Sequence, residues 1–301
     1  MLLVHRVPAS MDQAVNFFDA ITNGNFEITK STLNNWTCVL SDKLDPLISK
    51  IKQGLFNSYY VNTDESPINV NGKNHQIHSY SNEKYTLQYA HEKKSKSAII
   101  ELGFLPNYVG TLIHDHNTVQ YNWGTKHGEC NAHILRYLKA AKEFTKHKWS
   151  LEMADLLKEI LHCKHSLLLE NVSNFSKAKL DSYSQKYDDI LKTASNEYLS
   201  DYETNAYKAD EKKLISRLKK YKENHLLFMY DFKIPFTNNR AETDIRPAKR
   251  KQNVGIFRSQ EGARCYLRIR SFISTFLKNN LDIFDELKNV FNNKVISLNL
   301  G

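Results

Sequence analysis

The chain has 301 residues, 41% apolar and 11% aromatic, enough to bury a sizeable core in one large domain or two smaller ones. Its 42 Lys and Arg against 33 Asp and Glu leave a formal net charge of +9, with a pI near 9.1, which favours a polyanionic partner such as nucleic acid or an anionic membrane surface. No apolar run approaches the ~18 residues of a membrane span, and the apolar core of MLLVHRVPAS is too short for a signal peptide. The cysteines Cys38, Cys130, Cys163 and Cys265 lack framework spacing, so a cytoplasmic protein with reduced thiols is expected.

To about Asn57 the pattern is helical. Thr29 or Ser31 can cap a helix carrying Leu33, Trp36 and Leu40, and after Asp45 and Pro46 a second helix carries Leu47, Ile51 and Leu55. The pair could be a helix-turn-helix, but packing alone accounts for its spacing. From Ser58 the texture is that of strands: SYYVNTDES, then INVNGKNHQIHSYS with an Asn71-Gly72 pair of the hairpin type, then KYTLQYA, together a meander. KSKSAIIELGF reads as a helix, and YVGTLIHDHN as a buried strand from Val109 to Ile113 with polar residues at its carboxyl end. HGECNAHILRYLKAAKEF passes from a short strand into a helix with Ile134, Leu138 and Ala141 on one stripe. From about 140 to 230 the spacing is helical throughout, as in Met153, Leu156, Leu157 and Ile160 and in Leu180, Tyr183, Tyr187 and Leu191. Two helices close the chain, one with Tyr266, Ile269, Ile273 and Phe276 on a face and one with Phe284, Leu287 and Phe291, separated by Asn279-Asn280.

This order predicts an α/β fold with a ribonuclease H-like mixed sheet and a long all-helical insertion before the last catalytic helix. The expected organisation is a helical N-terminal segment (1–57), a core split between 58–139 and 231–260, the insertion (140–230) and C-terminal helices (261–301). In such a sheet the first strand lies in the middle and pairs with the fourth. Asp64, expected at the end of the first strand, and Asp115, at the end of the fourth, would then be side by side.

Between Arg246 and Arg270 there are eight basic residues (Arg246, Lys249, Arg250, Lys251, Arg258, Arg264, Arg268, Arg270) and one acid, Glu261, a local charge of 8 − 1 = +7. Just upstream stands Glu242. On a helix starting near Asn238 or Asn239, Glu242 and Arg246 are four apart on one face, and Pro247 should end or kink that helix. Taken alone, Glu242 reads as half of an i,i+4 ion pair. Brought together with Asp64 and Asp115, it would belong to a set of carboxylates that stays ionised only around a cation, and Mg²⁺ takes such hard oxygen ligands at about 2.0–2.1 Å. A pair of Mg²⁺ ions is expected, with Mn²⁺ able to substitute, and the adjacent cations would hold a phosphate backbone.

Asp64-Glu65 with Val70-Asn71-Gly72-Lys73, then GFLPNYVGTLIHDH, CNAHILRYL and TNNRAETDIRPAKRKQNVGIFRSQEGARCYLRIRSFISTF resemble, in order, successive blocks of the insertion-sequence-66 family of DDE transposases. The resemblance runs from roughly Leu3 to the last helix, and its final block is the most specific. It implies a ribonuclease H-like fold, with Asp64, Asp115 and Glu242 as the metal-binding catalytic triad. The implied activity is Mg²⁺-dependent phosphodiester cleavage at element ends, followed by attack of the freed 3′-hydroxyl on target DNA. DNA contacts are expected from His133, Arg136, Asn239, Arg246, Lys249, Arg250, Lys251 and Arg258. Expected partners are DNA, a second copy of the chain on paired ends and accessory proteins of the same element, in the cytoplasm at the nucleoid.

Cys130-Asn131-Ala132-His133 is similar to the family's Cys-x-x-His block. Zn²⁺ in structural sites takes four ligands, and the nearest further candidates, Cys163 and His165, fall in the helical insertion, so packing or DNA contact is the favoured role for His133 and Arg136. His114 and His116, flanking Asp115, could hydrogen-bond DNA or face solvent. Ser66-Pro67 stands where the family usually has Thr-Gly, and the chain opens within what resembles the family's middle helical region, beyond the cysteine-rich leader of longer members. The competing reading is a truncated, non-catalytic DNA-binding or regulatory product of a mobile element. A stand-alone ribonuclease H-type nuclease is disfavoured by the long insertion and the basic block.

Overall fold

The structure, a computed structural model, describes residues 2–7, 9–201, 207–292 and 294. The chain forms two compact units, one of 1–112, 119–125 and 239–301, the other of 113–118 and 126–238. Among the described residues no helix is long and apolar enough to cross a membrane.

The first unit opens with helices α1 (Leu2–His5), α2 (Met11–Thr22), α3 (Lys30–Lys43) and α4 (Asp45–Phe56). Thr29, not Ser31, caps α3, its hydroxyl accepting the Thr32 N–H at 3.1 Å. The buried stripe of α3 is Leu33, Thr37, Leu40 and Ser41, and Trp36, expected on it, is 37% exposed. Thr37 can replace it because its hydroxyl donates to the Leu33 carbonyl at 2.8 Å, leaving no unpaired polar group. α4 begins with Asp45-Pro46 and buries Leu47, Ile51 and Leu55, as expected.

The meander follows as β1 (Tyr60–Val70), β2 (Lys73–Ser81) and β3 (Thr86–His91), antiparallel throughout. The strand expected to end at Asp64 instead continues through Pro67 to Val70, so Asp64 is mid-strand. Its outer half alternates with period two, Ser66, Ile68 and Val70 buried, Pro67 and Asn69 exposed. Asn71 and Gly72, at φ 49° and 78°, close the hairpin in the left-handed region that a two-residue type I′ turn requires. After α5 (Lys96–Leu102), β4 (Thr111–His114) runs from the first unit into the second, and β5 (Lys126–Glu129) follows. The strand order β3-β2-β1-β4-β5 puts the first strand in the middle beside the fourth, and Thr111 N–H donates to the Tyr59 carbonyl at 3.1 Å where that pairing starts.

Three helices complete this unit: α12 (Asn239–Val254), α13 (Gln260–Lys278) and α14 (Ile283–Phe291). α12 does not end at Pro247, where an end or a kink is expected, but continues through it to Val254. The missing N–H removes one backbone bond, and burial of Ile245 and Ala248 against Ile68, Val70 and Ile77 of the hairpin holds the next turn in place. On the edge strand β3 the Thr86 and Gln88 N–H groups donate to hydroxyls of α13, Thr275 at 3.1 Å and Ser271 at 2.9 Å, which covers an otherwise open sheet edge. Asp244 of α12 joins this network. Its carboxylate accepts from Lys278 at 2.7 Å, Ser274 at 2.7 Å and Thr86 at 3.1 Å, all of them buried or nearly so. α14 buries Ile283, Leu287 and Val290, and Phe284 and Phe291, expected on that face, are exposed. The 283, 287, 290 spacing puts the aliphatic set on one i, i+4, i+7 stripe, and the Asp282 carboxylate caps the helix.

The second unit is helical beyond β5: α6 (Asn131–Thr145), α7 (Trp149–Leu169), α8 (Lys177–Ser200), α9 (Lys208–Lys220), α10 (Lys222–His225) and α11 (Leu227–Tyr230). Trp149, Tyr183, Tyr187 and Phe228 are among its fully buried side chains. Two of them also place a polar atom: Trp149 Nε1 donates to Glu211 at 2.8 Å and the Tyr187 hydroxyl to the Leu218 carbonyl at 3.1 Å. The buried Lys164 donates to the Phe228 and Ile234 carbonyls at 3.1 and 2.7 Å, and burial pulls its ammonium down to a pKa of about 8.

Candidate functional site

Asp64 and Glu65 are neighbours on β1 and therefore point to opposite faces of the sheet. Glu65 is engaged on one face, 3.3 Å from His78 Nδ1 and 3.2 Å from Lys94 Nζ, and it accepts from Gln120 at 3.1 Å. Burial pushes its pKa up, but His78 and Lys94 outweigh that and hold the carboxylate below its ordinary range. Asp64 is half-buried and shares the parity of Ile68 and Val70, which pack against α12. The face of β1 that carries Asp64 is thus the face that α12 covers.

Glu242 lies in the first turn of α12 and is half-buried. Among the described residues no ion pair includes it, so the bland Glu242–Arg246 pair is not formed; its neighbour Arg240 pairs with Glu83. One turn further on, Arg246, Lys249 and Arg250 are exposed around an open hollow of about 590 Å³, with Pro67 of β1 on its rim. Asn239 is exposed at the start of the helix. Arg258 is also exposed, but it lines a different depression, with Lys30 and Tyr266.

The rest of the basic block is buried or paired within the chain. Lys251, expected on the DNA-contacting surface, is buried, donates to the Gly255 carbonyl at 3.3 Å and has its pKa lowered by burial. Arg270 is 6% exposed and donates to the His5 carbonyl at 2.8 Å. Arg264 pairs with Glu261, and Arg268 with Ser41 and Asp45. Among the described residues Arg246, Lys249, Arg250 and Arg258 are the four of the eight that are exposed and in no ion pair.

In the second unit Asp115 follows β4 directly, as expected. His133 Nδ1 is 3.5 Å from its Oδ1, and Asp115, Cys130 and His133 bring one ligand-type atom each to within 4.8 Å of one another. The nearby side chain that joins Cys130 and His133 is therefore Asp115 and not Cys163 or His165. Cys130 is buried, and its sulfur accepts the Asn238 N–H at 3.2 Å. Burial first, and the Asp115 charge second, push its thiol up to about 12. Arg136, one turn on from His133 along α6, is exposed.

A second group lies in the same unit: His116, Glu129 and His225. Gly128 brings β5 close enough to place Glu129, since a Cβ there would stand 2.8 Å from Ile113. His116 Nε2 and His225 Nε2 are each 3.3 Å from Glu129 Oε2. Arg217 grips the same carboxylate, Nη2 to Oε1 at 2.8 Å and Nε to Oε2 at 3.1 Å, and also donates to the His116 carbonyl at 3.1 Å. Burial first, then the Arg217 charge, hold His116 down to about 2 and His225 to about 3, so both rings are neutral. Of these residues the sequence flags only His116, by its place beside Asp115; His225 is too far along the chain for spacing to reveal it. Among the described residues these two groups are the ones with metal-ligand spacing, and neither includes Asp64 or Glu242.

These features describe an α/β protein with acidic side chains on a central strand and an exposed cationic stripe on the helix packed against it. The model of the Transposase IS66 family matches residues 18–265, and the chain belongs to that family. Membership supports a transposase function in general, and the family implies DNA as substrate and dependence on a divalent metal. No curated protein matches the chain.

Proposed function

We propose that the chain is a DDE-type DNA transposase catalytic domain with a ribonuclease H-like core. It cleaves phosphodiesters at insertion-sequence ends with Mg²⁺ and joins the freed 3′-hydroxyl to target DNA. The observation that carries this reading is the pairing, within one unit, of the Asp64 face of β1 with the helix that bears Glu242 and the exposed stripe Arg246, Lys249 and Arg250. Asp115 is the third carboxylate, one residue beyond the strand next to β1 in the sheet. Three carboxylates are the hard oxygen donors that Mg²⁺ takes, and Mn²⁺ can replace it. Bound there, a pair of such ions would activate the attacking oxygen and stabilise the leaving one.

The chain's own residues have separate tasks. Asp64, Asp115 and Glu242 bind the metal. Arg246, Lys249 and Arg250 hold the phosphates of the strand being cut, with Asn239 and Arg258 further along the backbone and His133 and Arg136 as contacts from the second unit. Two copies on paired ends, with accessory proteins of the element where needed, would act at the nucleoid.

The test is incubation with labelled duplex carrying an element end, in Mg²⁺ or Mn²⁺. Asp64→Asn, Asp115→Asn and Glu242→Gln should each abolish nicking and joining while DNA affinity stays within a few-fold. Wild-type activity in any one of them would remove that residue from the triad and overturn the mechanism. The second reading, a non-catalytic DNA-binding or regulatory product of the element, is favoured by the grouping of Asp115 with Cys130 and His133. It would be supported by DNA binding without cleavage in wild type and variants alike.

A further inference from the structure

We propose that His116, Glu129 and His225 form a binding site for a transition-metal dication, best suited to Zn²⁺ and separate from the Mg²⁺-binding carboxylates. Two donor atoms each about 2.0–2.1 Å from a tetrahedral ion lie about 3.3–3.4 Å apart, and both histidine Nε2 atoms stand 3.3 Å from Glu129 Oε2.

These nitrogens are within reach of the carboxylate oxygen yet form no hydrogen bond with it. His116 Nε2 and both ring nitrogens of His225 are buried without a hydrogen-bond partner, and His225 is fully buried. Each such buried nitrogen has lost water without gaining a partner, a deficit that a shared cation would remove for the two that face Glu129. Arg217 fixes the Glu129 carboxylate through Oε1 and one side of Oε2, as outer partners of metal-bound carboxylates do.

The donor set of two imidazoles and one carboxylate selects Zn²⁺ or Co²⁺ over Mg²⁺, which prefers oxygen alone. Water would complete the coordination. The ligands come from the residues just after β4, the end of β5 and the end of α10. Bound metal would therefore bridge these three segments and leave one position open to water, as in sites with three protein ligands, independently of the transposase reading. The alternative is a buried Glu129–Arg217 ion pair with two neutral histidines packed around it.

The untagged full chain is stripped with a chelator, dialysed and titrated with Zn²⁺ and with Co²⁺ in millimolar Mg²⁺. The expected result is one Zn²⁺ per chain by elemental analysis, a rise in melting temperature on adding it, and visible Co²⁺ ligand-field bands without sulfur charge transfer. His225→Gln should weaken binding by about 100-fold, whereas Cys130→Ser should leave it intact, which separates this site from the Asp115–Cys130–His133 group. If His225→Gln fails to fold, His116→Gln, at a less deeply buried side chain, takes its place. Absence of stoichiometric Zn²⁺ in the wild type, or binding lost in Cys130→Ser and kept in the histidine variants, overturns the proposal.

Discussion

Lys249, Arg250 and Lys251 are consecutive cations, yet the first two face solvent and the third is buried on the Gly255 carbonyl. An exposed cation that neutralises a phosphate contributes a slope of about −0.9 to log affinity against log salt. Arg246→Ala, Lys249→Ala and Arg250→Ala should each weaken DNA binding and flatten that slope by about one. Lys251→Ala should leave the slope unchanged and lower stability instead. Fluorescence anisotropy over a salt series decides between the two outcomes, and an unchanged slope in all three exposed variants would remove the stripe from the DNA surface.

His5 offers a second test at this scale. It is buried, stacked on Tyr266 at 4.9 Å and next to Arg270 and Lys251. Burial first, then those cations, holds its pKa well below the ordinary value. Its neutral form is therefore what the fold keeps. The associated stability is complete above about pH 6.5 and is lost as pH falls below that, by about 1.4 kcal/mol per unit. His5→Phe, which keeps the stacking, should lose less stability than wild type between pH 7.5 and 5.5 in urea titrations. Parallel pH profiles would show that His5 does not contribute.

At the scale of elements, α12 carries Glu242 and the basic stripe, and its placement depends on Asp244. Removing that carboxylate leaves Lys278 buried without its charge partner, so Asp244→Ala should cost about 3–5 kcal/mol in denaturant unfolding. Because Thr86 and Ser274 share the same carboxylate, Asp244→Asn should recover part of that loss. Pro247 acts in the opposite direction. Pro247→Ala restores one helical bond and relieves a ring clash, and it should raise stability by about 1–3 kcal/mol. A neutral or destabilising result would mean that the proline's shape is itself part of the packing.

At the scale of the whole molecule, a chain of net charge +9 divides into a unit with α12 on the central sheet and a largely helical unit that contains both ligand-type side-chain groups. Transposition at paired ends should assemble at least two chains on two end-bearing duplexes. Mass photometry of the purified chain with such duplexes would show this, and a complex of one chain per duplex at all concentrations would count against pairing by this protein alone.

Read by itself, the sequence determined what depends on neighbours along the chain. A cap at Thr29 or Ser31, the Leu47–Ile51–Leu55 stripe, the Asn71-Gly72 turn and the three-strand meander follow from periods of 3.6 and 2 and from turn chemistry, and the place of the first strand beside the fourth is expected from the order of the elements. The blocks around Asp64, Asp115 and Glu242 carry a family resemblance that matches the family found. Tertiary structure alone decided what depends on which side of an element faces its neighbour. Lys251 and Arg270 point inward because the surrounding packing offers them carbonyl acceptors. Pro247 sits inside a helix because apolar contacts outweigh one missing bond. His116, Glu129 and His225 meet only through the folding of the second unit, since residues that far apart in the chain leave no local pattern to read.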